Sequence, residues 1–441
     1  MRLLHLTAGA AEMYCGSCLR DNALAAALLR RGHDVVLMPI YTPTTTDEEN
    51  VSEPHVFFGG VSVFLEQHVP LFRHTPAFLD RVWDSTAALR LASKRQIKVD
   101  PAVLGSMTVS MLKGADGYQR KEVEKMLRWL KHEPAFDLVN LPFTLLIGLA
   151  EPLRQAFGVP IACTLQGEDL FIENLPEPWR TESIALIRAA VPHVDLFLSV
   201  SQSYQPFMQE FLGIPAAKIA VVPLGITMDG HHVKETKTAA PYTIGFFGRI
   251  APEKGLHVLA DAYRRLRRKP AVPQTRLLAG GYLLNEHRGY FDAIVGGLQA
   301  AGLGDEFHYA GAPDREAKIA LFHEMDVMSM PATYDEPKGF TLLEAMANGI
   351  PVVQPDRGAF TEIVRSTGGG LLVAKDDPDA LAEGLLAILQ DRAKAAELGR
   401  AGAEGVRRQY TVDHMAAAAE RAYEKLRTSN PPSPRGFGGQ G

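Results

Sequence analysis

Cysteine is scarce, with three in 441 residues. That count excludes a disulfide-stapled scaffold and fits a reducing compartment, the cytoplasm. Long apolar runs are absent. None approaches the ~18 residues that a membrane-spanning helix needs, and the apolar stretch in the opening MRLLHLTAGAAE is too short for a secretory leader. Neither charge sign dominates: 46 Lys and Arg stand against 51 Asp and Glu, net -5, so bulk charge does not draw the chain to nucleic acid. The Gly-x-Gly-x-x-Gly fingerprint of a dinucleotide site is missing from the first turn, which reads AGAAEMYCG. The next apolar run passes into PIYTPTTT without the acid that would hold a ribose, which argues against a dinucleotide oxidoreductase. An Asp-x-Asp metal motif occurs only as Asp377-Pro378-Asp379, where Pro378 suits the first position of a helix and Asp377 its cap. Zinc would need four ligands, and Cys15, Cys18 and Cys163 are the only cysteines. No cofactor and no metal are expected.

What the chain does have is alternation. Short apolar runs, LLHLT, DVVLMP, DLVNL, VPIACTL, DLFLSV and IAVVPLG, are separated mostly by helical patterns up to residue 225. In the first repeat the pattern predicts a helix from Cys18 to Arg31, capped by Ser17 and stopped by Gly32. After a polar, aperiodic linker at 226–241 the alternation restarts with YTIGFFG, TRLLAGG, EFHYAG, DVMSMP, IPVVQP and GLLVA. Buried strands alternating with helices imply parallel sheets covered on both faces. The expected fold is α/β: two tandem Rossmann-like, doubly wound domains facing a cleft. Residues 1–225 form the first, interrupted at about 42–131, and 242–410 the second. A final helix at 411–427 crosses back to the first domain, and a Pro/Gly-rich tail at 428–441 is expected to be disordered. From Arg90 to Lys131 ten Lys or Arg stand against four Asp or Glu. The plain reading is solvated helix faces; the other is an anionic acceptor or a weak peripheral contact with the inner face of a membrane.

Two segments carry chemistry. In FFGRIAPEKG, Arg249 and Lys254 follow a strand ending at Gly248 and precede a helix, a place suited to a diphosphate. In YDEPKGFTLLEAMANG, Glu336 lies on a loop, and Glu344 lies about one turn inside a helix running from Phe340 to Asn348 and stopped by Gly349. Glu344 at that depth could accept the hydroxyls of a ribose. The N–H groups of Phe340, Thr341 and Leu342 favour a phosphate.

Gly-Arg-x4-Lys-Gly followed by Glu-x7-Glu resembles the retaining glycosyltransferases of family 4, which have the GT-B fold. LRRGHDVVLM, RGAFTEIV with GGGLLV, and YTVDHMAAAAERAYEKL extend the resemblance over nearly the whole chain. It implies that Arg249 and Lys254 bind the donor diphosphate, that Glu336 touches the transferred sugar and that Glu344 holds the ribose. Gly248, Gly339, Phe340, Thr341 and Leu342 would line the donor, with Pro313 near the base. The reaction implied is front-face transfer without a protein nucleophile. In the first domain, Cys15-Gly16 stands where the family often has two glycines, which gives Gly16 to the donor. Gln166 stands where a histidine is usual. Arg20, Gln166, Glu168 and Asp169 are then expected on the acceptor or sugar side, with Gln166 unable to act as a base. Cys15 and Cys18 read as two thiols on a substrate loop rather than a redox dithiol. The expectation is a metal-independent hexosyltransferase using a nucleotide-diphosphate sugar; the alternative is a nucleotide-sugar 2-epimerase of similar fold.

Overall fold

The computed structural model describes residues 1–9, 15–54, 56–58, 67 and 101–429. The chain divides into two units. The first comprises Met1–Val200, Gln205–Pro223 and Met415–Gly441; the second comprises Ser201–Tyr204 and Leu224–His414.

The first unit carries a parallel sheet ordered β2-β1-β3-β4-β5-β6. Its strands are β1 (Arg2–Thr7), β2 (Asp34–Pro39), β3 (Leu138–Leu141), β4 (Ile161–Leu165), β5 (Leu196–Ser199) and β6 (Ile219–Val221). β1 pairs with β2 from Arg2↔Asp34 to Thr7↔Pro39, and with β3 on its other side. Leu3, Leu4 and Leu6 are buried, as expected of a strand covered on both faces. The first helix runs Gly16–Arg30, so Ser17 lies within its first turn and is not its cap. Cys15 occupies the cap position and makes no side-chain cap bond. The last helix, Val412–Ser429, packs from Met415 onward in this unit: His33 Nε2 lies 2.9 Å from Glu420, and the rings of His5 and Tyr423 meet edge to face at 5.7 Å.

The second unit repeats the plan with the order β12-β11-β10-β7-β8-β9. Its strands are β7 (Tyr242–Phe247), β8 (Thr275–Gly280), β9 (Phe307–Tyr309), β10 (Val327–Met328), β11 (Val352–Pro355) and β12 (Gly370–Val373). All twelve expected runs contain strands; β1 begins one residue before its run, and each of the others is no longer than its run. All the pairs are parallel, and the sense in which successive strands are added across the sheet reverses between β7 and β10. The loops that follow those two strands lie at this switch point, where doubly wound sheets bind ligands. The stretch 226–241 is tied to this unit: Lys234 Nζ donates to His323 O at 3.0 Å, and His231 is buried.

In the basic stretch, Lys113 pairs with Glu182 at 2.9 Å, Arg120 with Glu124 at 2.8 Å and Lys125 with Glu122 at 3.4 Å. Each of these three charges is thus paired within the protein, Lys113 across 69 residues of sequence and Lys125 with buried Glu122. Residues 90–100 lie outside the described residues, as does the tail from 430. Among the described residues no helix is long and apolar enough to cross a membrane.

Candidate donor site

Two loops build the site in the second unit, one after β7 and one after β10. They are held together backbone to backbone. Thr333 N donates to Glu253 O at 2.9 Å. Gly255, at φ 80°, lets the turn pass so close to Pro331 that a Cβ would stand 1.9 Å from its carbonyl oxygen. That approach carries Lys254 to Glu336. Lys254 Nζ lies 2.5 Å from Glu336 Oε2 and 2.6 Å from the Tyr334 hydroxyl, which itself donates to the same carboxylate oxygen. The ammonium also sits 4.9 Å from the centre of the Tyr334 ring.

Glu336 is buried. Burial alone would push its carboxyl up. The charges of Lys254 and Lys338, with hydrogen bonds from Lys254 and Tyr334, outweigh it and hold the group at about 2. Its loop is braced from the next strand–helix turn: Ala359 N donates to Glu336 O at 2.8 Å, and buried Arg357 donates to Ala332 O at 3.0 Å. Arg249 is placed differently. It is 42% exposed and pairs with Glu253 four residues on. So Lys254 and Glu336 converge, and Arg249 stays exposed on the rim, paired with Glu253.

The helix Phe340–Ala347 starts three residues beyond Pro337. Gly339 at its cap adopts φ 73°, and a Cβ there would come within 2.6 Å of Ile363. The helix ends at Ala347, with Asn348 at its C-cap and Gly349 at φ 75° beyond. Leu342 is buried, and Phe340 and Thr341 are half-buried at the helix start. Gly248 follows β7 and donates its N–H to Gly280 O at 3.0 Å. Glu344 is buried and accepts from Lys318 Nζ at 2.6 Å. Lys318 lies on the helix Arg315–Glu324, which Asp314 caps through Ala317 N at 2.9 Å, directly after half-buried Pro313. Asp377 caps the helix Pro378–Gln390 by accepting from Asp379 N and Ala380 N, as its sequence position indicated.

The first unit assembles a second polar cluster at the ends of β1, β3 and β4. Arg20 is fully buried, and its Nη1 lies 3.2 Å from Asp21 Oδ1. Gln166 Nε2 donates to Asp21 at 3.2 Å and to Pro142 O at 2.7 Å. Glu168 accepts from Gln166 N at 2.7 Å, Thr144 N at 3.1 Å and the Thr144 hydroxyl at 3.0 Å. These three bonds make Glu168 a brace between two loops. Burial pushes its carboxyl up, against those backbone N–H bonds. Asp169 opens the short helix Asp169–Glu173. Asp21 is pushed up to about 6 by burial, with Arg20 opposing. Gly16 is the first residue of its helix. The Cys18 thiol is hydrogen-bonded to Cys15; that bond first, and burial second, push its pKa far up, so it stays protonated.

Sequence reasoning missed Tyr334, Lys338, Lys318 and Asp21. Tyr334 lies two residues before Glu336 and Asp21 next to Arg20, so proximity to the motifs was the available signal. Lys318 had none, because its partner is 26 residues away.

Two parallel doubly wound units in tandem, with a cation–carboxylate set beyond the carboxyl ends of the second sheet, define the GT-B class of architecture. A family model described as glycosyl transferases group 1 matches residues 228–405, and one described as glycosyl transferase 4-like domain matches 21–225. The chain belongs to the group 1 glycosyltransferases. It is 33% identical over 236 residues to a phosphatidyl-myo-inositol mannosyltransferase of Mycobacterium leprae, covering 53% of this chain and 59% of that protein. The chain thus spans little more than half the length of that relative. Its fold is similar to that of sucrose-phosphate synthase from Thermosynechococcus elongatus, with TM-score 0.70, 19% identity and coverage of 97% and 99% of the two chains. It is also similar to Anabaena Alr3699/HepE in complex with UDP-glucose, with TM-score 0.65, 17% identity and coverage of 96% and 100%.

Proposed function

We propose that the chain is a retaining, metal-independent glycosyltransferase that moves a hexose from a nucleoside-diphosphate sugar to an acceptor hydroxyl. The observation that carries this reading is the Lys254–Tyr334–Glu336 cluster, with Arg249 on its rim and the Phe340–Ala347 helix starting beside it. Breaking a glycosyl–diphosphate bond places negative charge on the departing phosphate and positive charge on the sugar. Lys254, Arg249 and the helix N-terminus answer the first; the ionised Glu336 answers the second and accepts from sugar hydroxyls. The acceptor oxygen bonds to the anomeric carbon on the face from which the phosphate leaves. The leaving phosphate oxygen takes the acceptor's proton, and configuration is retained. Glu344 holds the ribose, and Gly248, Gly339 and Pro313 lie along the donor. Arg20, Asp21 and Gln166 in the first unit are the acceptor-side set, with Gln166 and Glu168 positioning rather than transferring protons. The UDP-glucose complex of the Anabaena protein supports a nucleotide-sugar donor, and the mycobacterial protein's name, a phosphatidyl-myo-inositol mannosyltransferase, supports a lipid acceptor.

A thermal-shift screen of UDP-, GDP- and ADP-sugars, repeated in EDTA, tests the donor assignment. At least one nucleotide sugar should stabilise the protein equally with and without EDTA, and turnover of that donor should survive the chelator. Complete loss that magnesium or manganese restores would sink the metal-independent reading.

A further inference from the structure

Lys318 is a buried cation that no part of the sequence motif accounts for. Its side chain is 8% exposed and that of Glu344 is 9% exposed. The two meet at 2.6 Å, Nζ to Oε1. They come from different helices, Arg315–Glu324 and Phe340–Ala347. Among the described residues only Lys318 bonds the Glu344 carboxylate, and Oε2 is left over. The rest of the surroundings is polar, and among the described residues no second cation contacts the carboxylate. Asn348 Nδ2 donates to the Glu344 carbonyl at 2.9 Å and lies 2.9 Å from His231 Nδ1; its Oδ1 lies 3.1 Å from His323 Nε2. Burial holds His231 below its ordinary range and so neutral, although Glu344 opposes this. Arg315 is occupied with the carbonyl of Asp229 at 2.8 Å.

A buried lysine loses solvation that one ion pair only partly replaces, so the pair is weak evidence of stability for its own sake. Its arrangement fits a task. A ribose-binding carboxylate must stay in one rotamer and must not repel the anion it helps to hold. Fixing Oε1 sets the plane of the carboxylate and leaves Oε2 for vicinal hydroxyls. The lysine also cancels the carboxylate's charge where a diphosphate approaches the start of the same helix.

We infer that Lys318 is a positioning residue that orients and neutralises Glu344 for the 2′- and 3′-hydroxyls of the donor's ribose. This rests on the reading of Glu344 as the ribose carboxylate. The probes are UDP, GDP and ADP and their 2′,3′-dideoxy counterparts, titrated by calorimetry into the full chain. Wild type should bind one diphosphate at least tenfold more tightly than its dideoxy form. Lys318→Met should lose ten- to a hundredfold in affinity for the ribonucleotide and distinctly less for the dideoxy form, which feels only the lost neutralisation. Lys318→Gln, which keeps a hydrogen-bond donor and a polar chain, serves if the methionine variant does not fold, and should also lose most of the preference. A variant that keeps the full ribose preference, or weakens both nucleotides equally, overturns the role of Lys318. A wild type that binds no diphosphate, or binds both forms alike, overturns the donor reading itself and is distinguished by that result.

Discussion

Lys254 Nζ lies 2.5 Å from Glu336 Oε2, across 82 residues of sequence and two different strand–helix loops. The Lys254 side chain is 18% exposed and that of Glu336 5%, so each charge depends on the other. Arg249, exposed and paired only locally, has no such dependence. The two cations should therefore part company on mutation. Arg249→Ala should lower turnover about ten- to a hundredfold with an unchanged melting temperature. Lys254→Ala should lower turnover at least as much and also destabilise the second unit by about 3–5 kcal/mol, because it strands a buried carboxylate. Turnover and calorimetric melting of both variants check this; near-normal activity in both, with folding intact, would remove the diphosphate assignment.

The two thiols near the first helix are expected to do no redox work. Cys18 is buried and held protonated, and a protonated thiol is a poor nucleophile. Replacing Cys15 and Cys18 by serine should leave most activity, within about threefold. Gly16→Val should cost far more, because a branched side chain would crowd the helix start where the backbone is to meet substrate. Turnover of the three proteins, with folding checked by circular dichroism, decides it. An inactive double serine beside an active valine variant would reopen the thiol chemistry.

Acid sensitivity should be built into the first unit through His5. The side chain is buried, and burial first, then the Arg20 charge, lower its pKa from 6.5 to about 3. Unfolded His5 takes a proton below 6.5 and folded His5 does not until about 3, so its contribution is complete above 6.5 and is lost as pH falls towards 3. Between pH 7.5 and 5, wild type should lose about 2 kcal/mol more than His5→Gln. Urea titrations at the two pH values measure the difference; parallel losses would place His5 outside the acid response.

The strands were legible because parallel strands buried on both faces are short, continuous apolar runs, and a run such as DVVLMP announces itself without context. The Asp377 cap and the Gly349 stop were legible for a similar local reason. Ser17 is not a cap because a helix start depends on where the preceding chain leaves the strand, and the helix begins two residues earlier than expected, at Gly16. The donor-side motif singled out Lys254, Glu336 and Glu344 as candidates but not how they engage their neighbours. Lys254 meets Glu336 because Gly255 and Pro331 touch, and Lys318 meets Glu344 because two helices pack. Neither contact has a sequence period. Gln166 looked like a lost base; its bonds to Asp21 and Pro142 show a loop anchor, and only tertiary structure could bring Asp21 to it.

The most direct test of the account is the release of nucleoside diphosphate with and without acceptor. The full chain is incubated with the nucleotide sugar that stabilises it and with a panel of envelope lipids, glycans and small polyols, and free diphosphate is followed with proton NMR of the product. The account predicts diphosphate only when an acceptor is present, in step with a new glycoside whose anomeric configuration equals the donor's. A glycoside of inverted configuration, or a nucleotide sugar returned as its 2-epimer with no acceptor needed, would contradict it.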